Sequence, residues 1–499
     1  MTRRSAALTE AVDQILRTHL TRQDKQEDLT FALYYPSRGE DRTTALVRDV
    51  ILPVDGDREV HGNVEFYPPY FERVVARALD AGAGIAFLHS HPGANGWQGM
   101  SPDDIKAESG MAGGVEAATG HPLVGLTLST TDTTWSARFW ERGSQRRYMR
   151  LDCETVRVVG SGLRPSYNPK QAPPPLPVEE LTRTIEAWGI KAQTDLARLR
   201  IGVVGAGSVG SVIAETLDRV GVGYVRILDF DRLQPHNRDR MLHATAEGAR
   251  AQIPKVDVLG QSLPPSATAR GFVVDARQLS VCEEAGYRAA LDCDVLFSCV
   301  DRPWPRSVMN FIAYAHLVPV IDGGIAVYRF KDERMRGAEW RAHVVTADHR
   351  CLSCLMQYDP GLVAAERAGQ LDDPSYIQEL PPEDSLRANQ NVFSFSVAAA
   401  SLEFLKLILL VVRPAGISDV GPQFYHFPSS TVDFDGTVCE SWCPYPGLVA
   451  LGDHAGHPGT GIHAVAELAR KPTAVDMNDR RMKLSAWIRK MLFGNSRGS

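Results

Sequence analysis

The stretch Ile201-Gly-Val-Val-Gly-Ala-Gly-Ser-Val-Gly210, with Tyr224-Val-Arg-Ile-Leu-Asp-Phe-Asp231 after it, decides the fold. An apolar β-branched run stops at Gly205-Ala-Gly207, and a helical pattern through Val212, Ile213 and Leu217 begins at Ser208. A second strand follows and ends on Asp229. Strand, glycine turn, helix, strand and acid make a nucleotide-binding βαβ unit, with the phosphates on the helix N-terminus. Gly205, Gly207 and Gly210 let a phosphate approach the backbone more closely than a Cβ would allow. Asp229, with Asp231 beside it, is placed to accept hydrogen bonds from ribose hydroxyls. The motif says nucleotide without saying which one.

The chain has 499 residues, 44% hydrophobic and 23% charged, which implies two to four domains. A net charge of −6 offers no basic field for nucleic acid. Eight cysteines are too few for a disulfide scaffold. Four of them fall as Cys351/Cys354 and Cys439/Cys443, metal spacing that suits a reducing compartment. The N-terminus carries no long apolar core. The apolar helix over 396–412 contains Glu403 and Lys406, which reads as a core or subunit-interface helix and not as a membrane span. A cytoplasmic protein is expected.

Upstream, residues 9–20 and 69–80 have helical period, while 29–35 and 45–52 read as strands around the polar turn Pro36-Ser-Arg-Gly-Glu-Asp-Arg42. The strand Gly84-Ile-Ala-Phe-Leu88 runs directly into His89-Ser-His91-Pro92. Positions i and i+2 of a strand face one side, so His89 and His91 present two imidazoles to one point. In Met100-Ser-Pro-Asp-Asp104, Ser101 is an N-cap and Pro102 the first helical residue, which puts Asp104 in the first turn. Two histidines and a carboxylate form a three-ligand zinc site with an open fourth position, the catalytic kind.

His-Ser-His-Pro followed by Ser-Pro-Asp-Asp resembles the JAMM motif of the JAB/MPN metallopeptidases, which cut after the C-terminal glycine of ubiquitin-like proteins. The resemblance implies zinc on His89, His91 and Asp104, and a Ser101 that orients the water and the tetrahedral intermediate. It also implies an upstream glutamate as general base; Glu27 fits best and Glu40 is the alternative. The 93–100 loop is a little longer than the common form. Residues 160–177 are rich in glycine and proline and read as a semi-extended linker.

Beyond Asp231 come Pro235-His-Asn-Arg-Asp-Arg240, then Lys255, then the apolar strand Val295-Leu-Phe-Ser-Cys-Val300 ending on Asp301. Cations near the phosphates and a late carboxylate for Mg2+ suit nucleotidyl transfer better than hydride transfer. This set resembles the ThiF/MoeB family and the related adenylation domain of ubiquitin-activating enzymes, over about residues 180–445. The resemblance implies phosphate contacts from Asn237, Arg240 and Lys255 and Mg2+ on Asp301, with Arg306 and Asn310 also fitting. Arg183 resembles an arginine that reaches across a homodimer into the partner's ATP site. The two cysteine pairs resemble the family's structural zinc site, although Cys439 and Cys443 are spaced by three residues instead of two. A thioester-forming nucleophile among the four is the rival reading. The crossover region 361–391 contains no cysteine.

The expected architecture is therefore an α/β chain of two parts. Residues 1–160 form a JAB/MPN-type mixed α/β domain, 161–178 a Pro-rich linker and 179–450 a Rossmann-like ThiF domain. Residues 451–499 form a tail with a basic amphipathic helix over 480–493. Together these resemble a bacterial fusion of a peptidase and an activating enzyme, using catalytic zinc, structural zinc, ATP and Mg2+. Its partner would be a ubiquitin-like or sulfur-carrier protein ending in glycine, with a conjugating enzyme downstream. Fusions of this kind belong to bacterial conjugation systems, several tied to phage defence. The alternatives are sulfur-carrier activation without protein conjugation, a scaffold in which one half is inactive, and a dinucleotide oxidoreductase.

Overall fold

The computed structural model describes residues 2–61, 63–143, 147–372, 391–418 and 421–471. The amphipathic helix expected over 480–493 and most of the crossover region lie outside the described residues.

The first part of the chain builds a nine-stranded mixed sheet from β1 (Arg3–Thr9), β2 (Leu29–Arg38), β3 (Arg42–Ile51), β6 (Gly84–His91), β7 (Leu123–Ser129), β8 (Trp135–Arg142), β9 (Tyr148–Asp152), β10 (Thr155–Val159) and β11 (Leu163–Tyr167); β4 (Arg58–His61) and β5 (Asn63–Phe66) form a separate hairpin. The order is β11-β10-β1-β3-β2-β6-β7-β8-β9. β2 is buried on both faces, and its side chains alternate between two cores. Ala32 and Tyr34 join the core under the Glu10–Leu20 helix, while Phe31, Leu33 and Tyr35 join the one under the Pro68–Ala81 and Pro102–Thr119 helices. The Glu10–Leu20 helix starts where Thr9 accepts the Val12 N–H at 3.2 Å.

Two readings of this region shift. The segment 36–42 is not all turn, because β2 runs to Arg38 and β3 begins at Arg42, with Ser37 paired to Thr44. Residues 163–167, inside the stretch read as linker, pair antiparallel with β10 as β11, so the connection shortens to 168–178.

The second part is an eight-stranded sheet in the order β14-β13-β12-β15-β16-β17-β18-β19. Its strands are β12 (Arg200–Val204), β13 (Tyr224–Leu228), β14 (Val273–Arg277), β15 (Val295–Ser298), β16 (Val320–Arg329), β17 (Met335–Val345), β18 (Gln423–His426) and β19 (Thr431–Phe434). The first five in that order are parallel and the rest antiparallel. Buried clusters lie on both faces, as a parallel sheet requires. Chain direction across the sheet reverses between β12 and β15, so a crevice opens at their carboxyl ends. The Phe393–Val411 helix is long and apolar enough to cross a membrane. Here it packs on β16, β17 and the Ser208–Arg219 helix, with Glu403 and Lys406 buried.

The two parts are locked together. The fully buried Arg42 guanidinium bonds Asp294 at 2.6 Å, and Arg157 lies 3.6 Å from the same carboxylate. Asp292 accepts the backbone N–H groups of Asp41 and Arg42 at 3.0–3.1 Å. Ser37 bonds His316 at 2.7 Å. The stretch expected to be a tail contributes a clasp: Asp453 pairs with both Arg38 (3.1 Å) and Arg288 (2.8 Å), and His454 packs on Tyr35.

Candidate functional site

At the carboxyl end of β6, strand parity puts His89 and His91 on the face of Phe87, which the Pro102–Thr119 helix covers. That helix begins with a capping box: Ser101 Oγ accepts the Asp104 N–H (3.1 Å) and Asp104 accepts the Ser101 N–H (2.8 Å). The box turns Asp104 toward the imidazoles. Asp104 oxygens lie 3.5 Å from each His Nε2, and the two Nε2 atoms are 3.3 Å apart. Three donor atoms within 4.8 Å of one another suit a small cation. Burial, with Arg138 adding, pushes His89 down to about 3, so it stays neutral as a ligand must. Burial raises the Glu27 carboxyl, with His91 opposing the rise and Asp104 adding to it, and the next residue, Asp28, accepts the N–H of Ser90, between the two histidines, at 3.1 Å.

Glu40 is excluded as the base. It sits at the domain junction, 3.8 Å from Arg226 and Arg277, and the length of β2, roughly 30 Å, separates it from His89.

Sequence reading missed the residues behind these ligands. Gln98 bonds His91 Nδ1 at 3.3 Å. Thr127, opposite His89 in the β6–β7 register, reaches its Nε2 at 3.4 Å and accepts from Arg138 at 2.6 Å. Arg138 in turn pairs with buried Glu108. The one available signal was Arg138, a charge set among Ala137, Phe139 and Trp140 in the strand Trp135–Arg142.

In the second part, the Gly205–Gly207 turn opens at the β12/β15 switch point. Gly205 has φ +97°, and a Cβ there would stand 2.4 Å from the Cys299 carbonyl oxygen. At Gly210 a Cβ would fall 1.8 Å from the Gly205 carbonyl oxygen, so the helix lies directly on its own turn. Among the described residues, none would come within 4 Å of a Cβ on Gly207, the kind of cradle a phosphate fills. Asp229 accepts the N–H groups of Ala206 and Asp231, both at 2.7 Å, and so fixes the turn as well as facing the crevice.

Lys255 bonds Asp231 at 2.6 Å. Burial disfavours its charge, but Asp229, Asp231 and Asp301 together raise it. Gly205, Gly207, Asp229, Asp231, Lys255 and Asp301 thus lie together at the switch point, with Gly210 buried beneath the turn. Asn237 and Arg240 stand just beyond, with Asn237 accepting the Gln234 N–H at 2.8 Å and Arg240 on Asp239 at 3.1 Å. Arg306 and Asn310 are engaged elsewhere. Arg306 holds buried Asp322 and the Gly323 carbonyl, and Asn310 holds the Leu352 N–H and Tyr358. Arg183 is exposed on the Thr182–Trp188 helix, outside the crevice of its own chain.

Residues 181–431, half of the chain, match the ThiF family. The chain belongs to the ThiF family. Among its relatives are the adenylyltransferase and sulfurtransferase UBA4 of Yarrowia lipolytica (28% identical, over 29% of this chain and 37% of that one) and the sulfur carrier protein ThiS adenylyltransferase of Bacillus subtilis (26%, over 38% and 53%). The ATP-dependent ubiquitin transferase-like protein Cap2 of Enterobacter hormaechei is 41% identical over 83 residues, 16% of this chain and 14% of that one. The chain thus spans about a third to a half of the length of the first two.

The four cysteines of this ThiF-family chain come together. The sulfurs of Cys351, Cys354, Cys439 and Cys443 lie within 4.8 Å of one another, and none is in a disulfide. Backbone N–H groups of Cys351 and Cys354 point at Cys439 and Cys351 sulfurs at 3.2 and 3.3 Å. Hydrogen bonding from Cys351 draws Cys439 down to about 5. Four sulfurs with thiolate-directed donors fit a tetrahedral zinc. Cys351 and Cys354 are buried, which disfavours their use as a thioester nucleophile.

Proposed function

We propose that this chain activates a small ubiquitin-like or sulfur-carrier protein by joining the carboxylate of its C-terminal glycine to AMP, and that its first domain is a JAMM-type zinc peptidase cutting after that glycine. The observation that carries the reading is the convergence of Lys255, three carboxylates and the glycine turn at the switch point of the ThiF sheet. The carboxylate attacks the α-phosphorus of ATP, an acyl-phosphate bond forms, and the α–β bridge breaks to release pyrophosphate. Lys255 and Arg240, with Asn237, meet the charge that gathers on the leaving pyrophosphate. Asp301 would hold Mg2+, which neutralises phosphate charge when bound. Arg183 would serve the partner copy of a homodimer. Relatives named as a sulfur carrier protein adenylyltransferase and as an ATP-dependent ubiquitin transferase-like protein support this half.

In the first domain, His89, His91 and Asp104 would hold zinc, which when bound lowers the pKa of a water and polarises the scissile carbonyl. Glu27 would serve as the general base in this reading, holding the proton that passes to the leaving amine. Ser101 would orient the reacting oxygen. Structural zinc on the four cysteines would brace the ThiF domain. The relatives named for sulfur carriers favour a second reading, in which the product feeds sulfur transfer and no protein is modified. We place the reactions in the cytoplasm of a bacterium, in a conjugation pathway with its own conjugating enzyme.

The test is ATP–pyrophosphate exchange with candidate carriers ending in glycine, followed by mass spectrometry for the acyl-adenylate. Exchange that needs the carrier and vanishes in Lys255→Ala is expected; none with any such carrier would refute activation. Metal analysis should find two zinc ions per chain and one in Asp104→Ala. Equal zinc in both proteins would sink the peptidase reading.

A further inference from the structure

A segment near the end of the described chain lies across the nucleotide crevice, and no motif marks it. Residues 459–471 run past the carboxyl ends of β14, β13 and β15, the side on which an open α/β sheet binds its ligand. At β14, Ser280 bonds His463 Nδ1 at 2.8 Å, and the Gln278 amide donates to the carbonyls of Phe230 (3.0 Å) and Ala469 (3.3 Å). At β13, Phe230, between Asp229 and Asp231, packs edge-on against His463 with ring centres 4.8 Å apart. Arg232 donates to the Ala469 carbonyl at 2.7 Å. Beyond β15, Trp304 packs on the other side of His463 at 5.1 Å and donates to the Gly459 carbonyl at 2.8 Å. His463 is only 8% exposed.

We infer that 459–471 is a strap forming the outer wall of the nucleoside half of the crevice, with His463 as its wedge and as a residue that positions the base. This rests on the nucleotide reading above. The phosphate half is accounted for by the Gly205–Gly207 turn and Lys255 at the ends of β12 and β13. The base of a nucleotide whose ribose meets Asp229 must extend toward Phe230 and the end of β14, where the strap lies. Nine residues before His463, His454 packs on Tyr35 of the first domain, so the wall is anchored at the domain junction.

The experiment is calorimetric titration of the full chain, and of its His463→Ala and His463→Phe variants, with Mg-ATP, Mg-GTP and Mg-tripolyphosphate. In His463→Ala, ATP affinity should fall about tenfold and preference for ATP over GTP narrow, tripolyphosphate affinity should stay within about twofold, and His463→Phe should recover ATP binding by restoring the ring contacts. An unchanged ATP affinity in His463→Ala overturns the strap's role. So does a parallel loss of ATP and tripolyphosphate, which would mark general damage. A wild-type chain that binds neither ligand refutes the nucleotide reading itself, and the strap falls with it.

Discussion

Glu366 shows how one residue near the crevice sets a pH limit. It accepts the Trp304 N–H at 2.8 Å, and burial pushes its carboxyl from 4.5 to about 7. The folded state therefore keeps a proton that the unfolded chain has released. Stability from this group is complete below pH 4.5 and is lost as pH rises toward 7. Glu366→Gln keeps an acceptor for Trp304 without the charge, so it should gain up to about 3 kcal/mol over wild type between pH 5 and 8. Urea unfolding at the two pH values reads this; curves that shift in parallel would contradict it. At this scale the sequence yielded the clustered side chains better than their supports. His89 and His91 were legible because two residues on one strand face carry their own geometry. Gln98, Thr127 and Arg138 were not, because a strand pairing and a loop closure bring them in from elsewhere.

The glycine turn and the helix after it behave as one element, and its glycines have different duties. Gly210→Ala drives a methyl into the Gly205 carbonyl and should cost about 1–3 kcal/mol of stability, visible in thermal melting. A Cβ at Gly207 meets no atom of the described residues, so Gly207→Ala should change stability by less than about 0.5 kcal/mol while weakening ATP binding. Full ATP affinity in Gly207→Ala would mean that no phosphate sits there. The βαβ unit was legible because its period, turn chemistry and closing acid are all local. Strand β11 was not, since Pro165 and nearby glycines look like linker and only pairing with β10 makes them a strand.

Across the whole molecule, the buried Asp294 compensates Arg42 from the first domain and Arg157 from the same sheet. Asp294→Ala would leave two guanidinium groups inside the junction and should destabilise it by about 3–5 kcal/mol. Calorimetry should then resolve two unfolding transitions where wild type has a coupled one; a melting profile identical to wild type would show that the junction holds by other means. By itself the sequence determined the ThiF-type βαβ unit, the His-x-His strand end with its capped aspartate, and the paired cysteines, because each is written in spacing over a few residues. Tertiary structure alone decided that Glu40 lies at the domain junction, away from the histidines, that Arg306 and Asn310 are occupied elsewhere, and that the chain's last described residues cross the crevice. Those outcomes depend on which strand ends and surfaces meet across separations of 16 to 237 residues, and local periodicity carries no record of that.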